Sequence, residues 1–175
     1  SLERGIIAAE SEGADILVTL GGASVGDHDL VRSVLTRRGM ELGFWRIAMR
    51  PGKPLIHGTL GPMAILGLPG NPVSSYVCAR LFLMPLIRAM QGDPHAARDP
   101  SEPARLGVAV RANDKRQDYL RAALTTPHDG LPVATPYELQ DSSMIRVMAE
   151  AGALVIRKPH APAEPAGNLC RIIRI

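Results

Sequence analysis

The stretch "GGASVGDHDL", Gly21 to Leu30, sets three glycines, a serine and two acids directly after the apolar run "ADILVTL". Glycine loses more conformational freedom on folding than any other residue, so such a junction marks a sharp turn that leaves backbone N–H groups open. A second group, Arg46, Arg50 and Lys53, puts three cations within eight residues around the turn "RPGKP". A third, "GLPGNP" (Gly67 to Pro72), opens an apolar helical stretch. Free N–H groups, a helix N-terminus and guanidinium or ammonium groups are the means by which proteins hold an oxyanion such as a phosphate. The cations also fit a plain solvated basic face, and Ser24 is as much a turn residue as a ligand donor. Asp27 reads as the cap of the following helix. That leaves Asp29 as the acid available to a hard Mg²⁺, which is often held by one or two carboxylates together with phosphate and water. His28 and His57 have no partner at metal-ligand spacing. The chain also lacks a Gly-x-Ser-x-Gly elbow and a reactive-cysteine context. Catalysis would therefore rest on positioning and on electrostatic stabilisation of oxyanions rather than on a covalent intermediate.

These groups need a scaffold that brings them together. Leu2, Ile6, Ile7 and Ala9 repeat at helical spacing over Leu2 to Glu12, and Gly13 is a stop. Asp15 to Leu20 reads as a buried parallel strand, Asp29 to Arg38 as a helix and Phe44 to Met49 as a strand. Leu55 to His57 and Met63 to Leu66 read as short strands around the turn "GTLGP". Asn71 is a good N-cap and Pro72 suits the first helical position. Val73, Val77, Leu81 and Met84 then form an apolar stripe that Pro85 is expected to kink or interrupt. Strands alternating with helices predict an open α/β sheet, where ligands sit beyond the carboxyl ends of the strands. All three glycine loops would then converge on one sheet edge.

Residues 1–92 are assigned to this α/β domain and the polar, proline-rich residues 93–103 to a linker. Residues 104–175, with short strand-like runs such as "ARLGVAV", "DYLRAALTT" and "GALVIRKP", are assigned to a small β-barrel or sandwich.

With 46% apolar residues the 175-residue chain can bury a real core. With only 3% aromatics it lacks the stacking platforms of a single-strand nucleic-acid binder. Its net charge of +3 suits an anionic small ligand. Two distant cysteines read as buried thiols in a reducing compartment. No apolar stretch approaches the roughly 20 residues that span a bilayer, and no signal segment opens the chain. A cytoplasmic protein with no nucleic-acid or membrane partner is expected. The start at "SLERGIIAAE", without Met, points to a piece of a longer chain.

The blocks "GGASVGDHD", "FWRIAMRPGKP" and "GLPGNPVSSY", in this order and spacing, closely resemble the molybdopterin molybdenumtransferase family. That family includes a bacterial enzyme of molybdenum cofactor synthesis and the E-domain of gephyrin. "DYLRAAL" and "LQDSSM" are weaker echoes in the tail. The resemblance implies part of a three-layer α/β domain of the molybdopterin-binding type, followed by a small C-terminal β-barrel. It implies insertion of molybdate into adenylylated molybdopterin with cleavage of the adenylate, assisted by Mg²⁺, in a cleft shared by two subunits of a homodimer. Carried over by position, Asp29 matches the family's essential acid and metal ligand. Gly21, Gly22, Ser24 and Gly26 match the loop before it, and Lys53, Pro69, Gly70, Asn71 and Pro72 match the later substrate-binding blocks. Arg46 and Arg50 stand as catalytic cations where the family commonly has lysines. Arg121 and Ser142 match positions of its oxyanion site. The family's earlier domains and the opening of its α/β domain have no counterpart here, so little or no turnover is expected of this chain by itself. Two other readings stay open: a molybdopterin adenylyltransferase, which is also a possible partner protein, and a gephyrin-like scaffold that binds partner peptides.

Overall fold

A computed structural model describes residues 2–21, 30–128, 130–141 and 143–175. The chain divides into two compact units. Residues up to Ile47 together with Gly52–Ala96 form the first, and Ala48–Pro51 together with Ala97–Ile175 form the second.

In the first unit, α1 (Leu2–Ser11) leads into β1 (Ile16–Leu20), and α2 (Leu30–Arg37) into β2 (Glu41–Arg46). β4 (Pro54–Leu60) and β5 (Met63–Leu68) form a hairpin. The four strands lie in the order β1-β5-β4-β2. The sheet is mixed rather than wholly parallel, because β1 runs parallel to β5 whereas β4 is antiparallel to both β5 and β2. The short turn after Leu60 can only return the chain antiparallel, since a parallel connection needs a crossover of a dozen residues or more. Ile6 from α1 and Val31, Val34 and Leu35 from α2 pack with Ile56, Met63 and Ile65 of the hairpin. Each such side chain contributes roughly 1.5–3 kcal/mol by leaving water. β1 is not the fully buried strand its composition predicts. It lies at the margin of the described sheet, with Val18 and Leu20 exposed.

The helix α3 (Pro72–Met90) runs unbroken through Pro85. A π-helical segment, Ala79–Leu83, ends one residue before the proline. The wider turn relieves the clash of a proline ring with the carbonyl four residues back, so the expected interruption does not occur. A helix of 19 residues results, long and apolar enough by length and composition to cross a membrane. The expectation that no apolar stretch approaches that length does not hold for this helix. Val73, Ser74, Val77 and Cys78 of its first turns are buried, whereas Met84 of the expected stripe is half exposed.

Burial pushes the Cys78 thiol up to about 12, and its Sγ faces the Gly52 carbonyl at 3.8 Å. Burial also raises the Cys170 thiol, with Arg157 opposing the shift. At pH 8 only about one Cys78 in 10⁴ would be a thiolate. Ellman's reagent at that pH is therefore expected to leave Cys78 unmodified in the folded protein and to titrate both thiols in denaturant. Rapid native reaction of both thiols would contradict the burial.

The second unit is a closed barrel. β6 (Glu102–Leu106), β7 (Gln117–Thr125), β8 (Val133–Pro136), β9 (Ala153–Arg157) and β10 (Leu169–Arg174) pair in the order β7-β8-β6-β10-β9, and β9 returns to β7. Closure removes the free edges of a small sheet. Ala104, Ala122, Ala134 and Ala153 line its interior with Leu106, Val155 and Ile172. Small side chains of this kind fill a narrow barrel without overpacking it. The helix α4 (Ile145–Glu150) lies in the connection before β9. The run "FWRIAM", expected as one strand, is divided: β2 ends at Arg46, and β3 (Met49–Arg50) pairs in parallel with the start of β7.

Candidate functional site

Sheet register in the first unit fixes where its bends meet. Leu20 is paired with Leu68 in parallel, Gly67 with Ile56 antiparallel, and Pro54 with Arg46 antiparallel. The end of β1, the end of β5, the start of β4 and the end of β2 therefore lie along one edge of the sheet. Gly21, Arg46, Lys53 and Gly70 sit along that edge.

Two of the bends touch. The Gly21 N–H donates to the Leu68 carbonyl at 3.0 Å. A Cβ on Gly70 would stand 3.2 Å from the Gly21 Cα, and Gly21 itself has φ +77°, a left-handed conformation that favours glycine. Pro69 is buried behind this contact. Asn71 then starts α3: its Oδ1 accepts the Ser74 N–H at 3.1 Å, and its carbonyl accepts both the Ser75 N–H and the Ser75 hydroxyl. Pro72 occupies the first turn, where its missing N–H leaves nothing unpaired. The edge thus carries a helix N-terminus, where backbone dipoles favour negative charge.

Arg46 and Lys53 are exposed and make no side-chain hydrogen bond or ion pair with the described residues. Their backbones are tied through the Ile47 N–H, which donates to the Lys53 carbonyl at 3.2 Å. The Arg46 guanidinium carbon lies 4.1 Å from the ring centroid of Trp45, and that of Arg32 lies 3.9 Å from it.

Arg50 does not share this setting. It belongs to the barrel unit, where its Nε donates to Asp118 Oδ1 at 3.0 Å and its Nη2 to Asp114 Oδ2 at 3.3 Å. The pairing reduces what this cation could offer an oxyanion. Sequence gave no sign of it, because Asp118 is 68 positions away.

Arg121 is 1% exposed, an unusual burial for a guanidinium. Its Nη2 donates to the Asp141 carbonyl at 3.2 Å, and its Nε is buried without a partner among the described residues. Burial lowers its affinity for a proton, and the Asp141 charge partly restores it. Gln140 fixes the backbone here: its Oε1 accepts the Arg121 N–H and its Nε2 donates to the Arg121 carbonyl, both at 3.0 Å. Hydrogen bonds from Ser143 hold the Asp141 carboxyl below the usual carboxylate range. Buried charge with unspent donors is a costly arrangement that is often found where an anion binds.

Gly22, Ser24, Gly26, Asp29 and Ser142 lie outside the described residues. Among the described residues, no group of three His, Cys, Asp or Glu side chains gathers to hold a metal ion.

A cavity of about 640 Å³ opens in the barrel unit, lined by Val110, Arg111, Asp118, Leu120 and Arg157 among others, and by none of the expected site residues. Two of its charged groups are engaged. Asp118 pairs with Arg50, and Arg157 Nη2 donates to the carbonyls of Arg111 and Pro162. Trp45, Gln140 and Asp141 are the site neighbours to which sequence reasoning assigned no role. Each left a signal: Trp45 is the single tryptophan, directly before Arg46, and Gln140 and Asp141 lie within "LQDSSM".

Comparison with known proteins adds identity to this geometry. Residues 1–89 match the family described as probable molybdopterin binding domain, and residues 103–174 match the MoeA C-terminal region (domain IV). The molybdopterin molybdenumtransferase of Haemophilus influenzae is 31% identical over 97% of this chain and 42% of its own length. The molybdenum cofactor synthesis protein cinnamon of Drosophila melanogaster is 40% identical over 90% of this chain and 27% of its own. A crystal structure of a molybdopterin biosynthesis moeA protein from Pyrococcus superposes with a TM-score of 0.76 at 26% identity, covering 99% of this chain and 40% of that one. The chain thus spans about two-fifths or less of the length of these relatives.

Proposed function

We propose, because this chain belongs to the molybdopterin molybdenumtransferase (MoeA) family, that it contributes part of a site that inserts molybdate into adenylylated molybdopterin with release of AMP. The observation that carries this reading is the single sheet edge where the Gly21 and Gly70 bends touch, the N-terminus of α3 begins, and Arg46 and Lys53 make no side-chain hydrogen bond or ion pair among the described residues.

Both substrates are anionic. The pterin phosphate and the adenylate would be received by backbone N–H groups and by Lys53, and the molybdate oxyanion by guanidinium groups. Arg46 offers planar, two-point hydrogen bonding where lysine would offer a point charge. Arg121 and Ser142 stand at the oxyanion positions that the family resemblance implies, and Asp29 at its essential acid, which would hold the assisting Mg²⁺. None of these groups need form a bond to substrate. Fixed positive charge at the oxygens that gain charge as the adenylate leaves lowers the barrier. A homodimer completes the cleft, and the protein works in the cytoplasm, where Cys78 and Cys170 stay free. The domain IV match over residues 103–174 favours this reading over a molybdopterin adenylyltransferase.

The test supplies the full-length protein with adenylylated molybdopterin and molybdate. AMP release that depends on molybdate is expected, with this 175-residue chain alone giving little or none. Production of adenylylated molybdopterin from ATP would instead identify the adenylyltransferase.

A further inference from the structure

Arg46 has no hydrogen-bonding partner among the described residues, yet it is not a loose surface cation. Its guanidinium lies over Trp45 at 4.1 Å from the ring centroid. The indole is itself anchored, packed against the core that contains Val34, Leu35 and Ile56, and it carries the Arg32 guanidinium at 3.9 Å. Its Nε1 is buried without a hydrogen-bond partner among the described residues, so ring contacts rather than a polar tether fix it. Consecutive residues of a regular strand point to opposite faces. The β2–β4 register shifts between Phe44 and Arg46, which breaks that alternation at the place where Arg46 folds over its neighbour. Such irregularities re-aim side chains.

Stacking engages the face of a guanidinium, whereas its five N–H donors lie in its plane. A stacked arginine is therefore held in place without spending the groups that bind an oxyanion. A lysine ammonium over the same ring would also be attracted to it, but it is a point charge without a planar face to stack or a fixed fork of donors. We propose that Trp45 is a positioning residue, which holds Arg46 by its face at the sheet edge so that its in-plane donors stay free for an oxyanion, and which makes arginine the fitting residue at this position. The proposal rests on the oxyanion reading of that edge.

Molybdate affinity, measured by equilibrium dialysis on the full-length protein, tests it through a double-mutant cycle. Trp45→Leu is expected to weaken molybdate binding about five- to tenfold, the size of one cation–π contact. Trp45→Phe, which keeps an aromatic face and the fold, should recover most of that loss. Arg46→Lys, which also gives up two-point hydrogen bonding, should cost more than Trp45→Leu when Trp45 is present, and should cost at least about threefold less when Trp45 is already Leu, because the ring contact is then already gone. A purely structural Trp45 would give additive losses. Additivity, or wild-type affinity in both Trp45 variants while Arg46→Gln binds poorly, would overturn the positioning role alone. Wild-type affinity in Arg46→Gln would instead overturn the oxyanion reading of the edge, and the proposal with it.

Discussion

Asp29→Asn in the full-length protein is expected to reduce molybdate-dependent AMP release by about 10²-fold or more, the scale on which one preorganised electrostatic group acts at a reacting centre. The substitution keeps the size and hydrogen-bonding reach of the side chain and removes only its charge. The fold and the binding of adenylylated molybdopterin should therefore survive. The family resemblance singles out this acid, because Asp29 stands at the position of the family's essential acid. Parallel assays of AMP release and of adenylylated-molybdopterin binding check the prediction. Loss of turnover with binding retained supports the transferase reading. Unchanged cofactor synthesis would show the acid to be dispensable and would favour a scaffold that binds partner peptides.

Arg121→Met is expected to separate function from stability in the opposite sense. The arginine is almost wholly buried, with one hydrogen bond to the Asp141 carbonyl and an unpaired Nε. Its desolvation is only partly offset by Asp141, whose carboxyl stays in water. A buried charge replaced by an apolar side chain of similar volume is often neutral or stabilising by about 1–4 kcal/mol. The melting temperature should hold or rise, while AMP release falls by about 10²-fold as an oxyanion donor is lost. Arg121→Ala, by contrast, leaves a hole beneath residues 137–141 and should destabilise by roughly 2–3 kcal/mol. Thermal melts beside turnover assays distinguish the cases. A collapsed Arg121→Met fold would make the arginine a structural residue, and retained turnover would remove it from the oxyanion site.

The two expectations concern different units of the chain. Arg50 gives a useful contrast: already paired with Asp118 and Asp114, it has less to offer an anion than Arg46, although sequence made the two look equivalent.

Much of this was decided by local chemistry, and local chemistry is what a sequence carries. The turn residues of "GGASVGDHDL", "RPGKP" and "GLPGNP", the Asn71 cap with Pro72 behind it, and the change to short strand-like runs after the proline-rich stretch all act within a few residues of themselves. The α/β character of the first unit and the presence of a small β unit after it could therefore be read directly. Tertiary structure decided whatever depends on partners far along the chain. Strand pairing set the mixed order β1-β5-β4-β2, which puts three separate bends on one edge. It also split "FWRIAM" between two units, and closed the barrel by joining β9 to β7. A π segment carried α3 through Pro85, which propensity alone would have broken. The burial of Arg121, the engagement of Arg50 and the stacking of Arg46 on Trp45 are likewise contact properties. A side chain's charge is written in its own identity, but whether that charge is spent, buried or held ready is set by the groups folding brings against it.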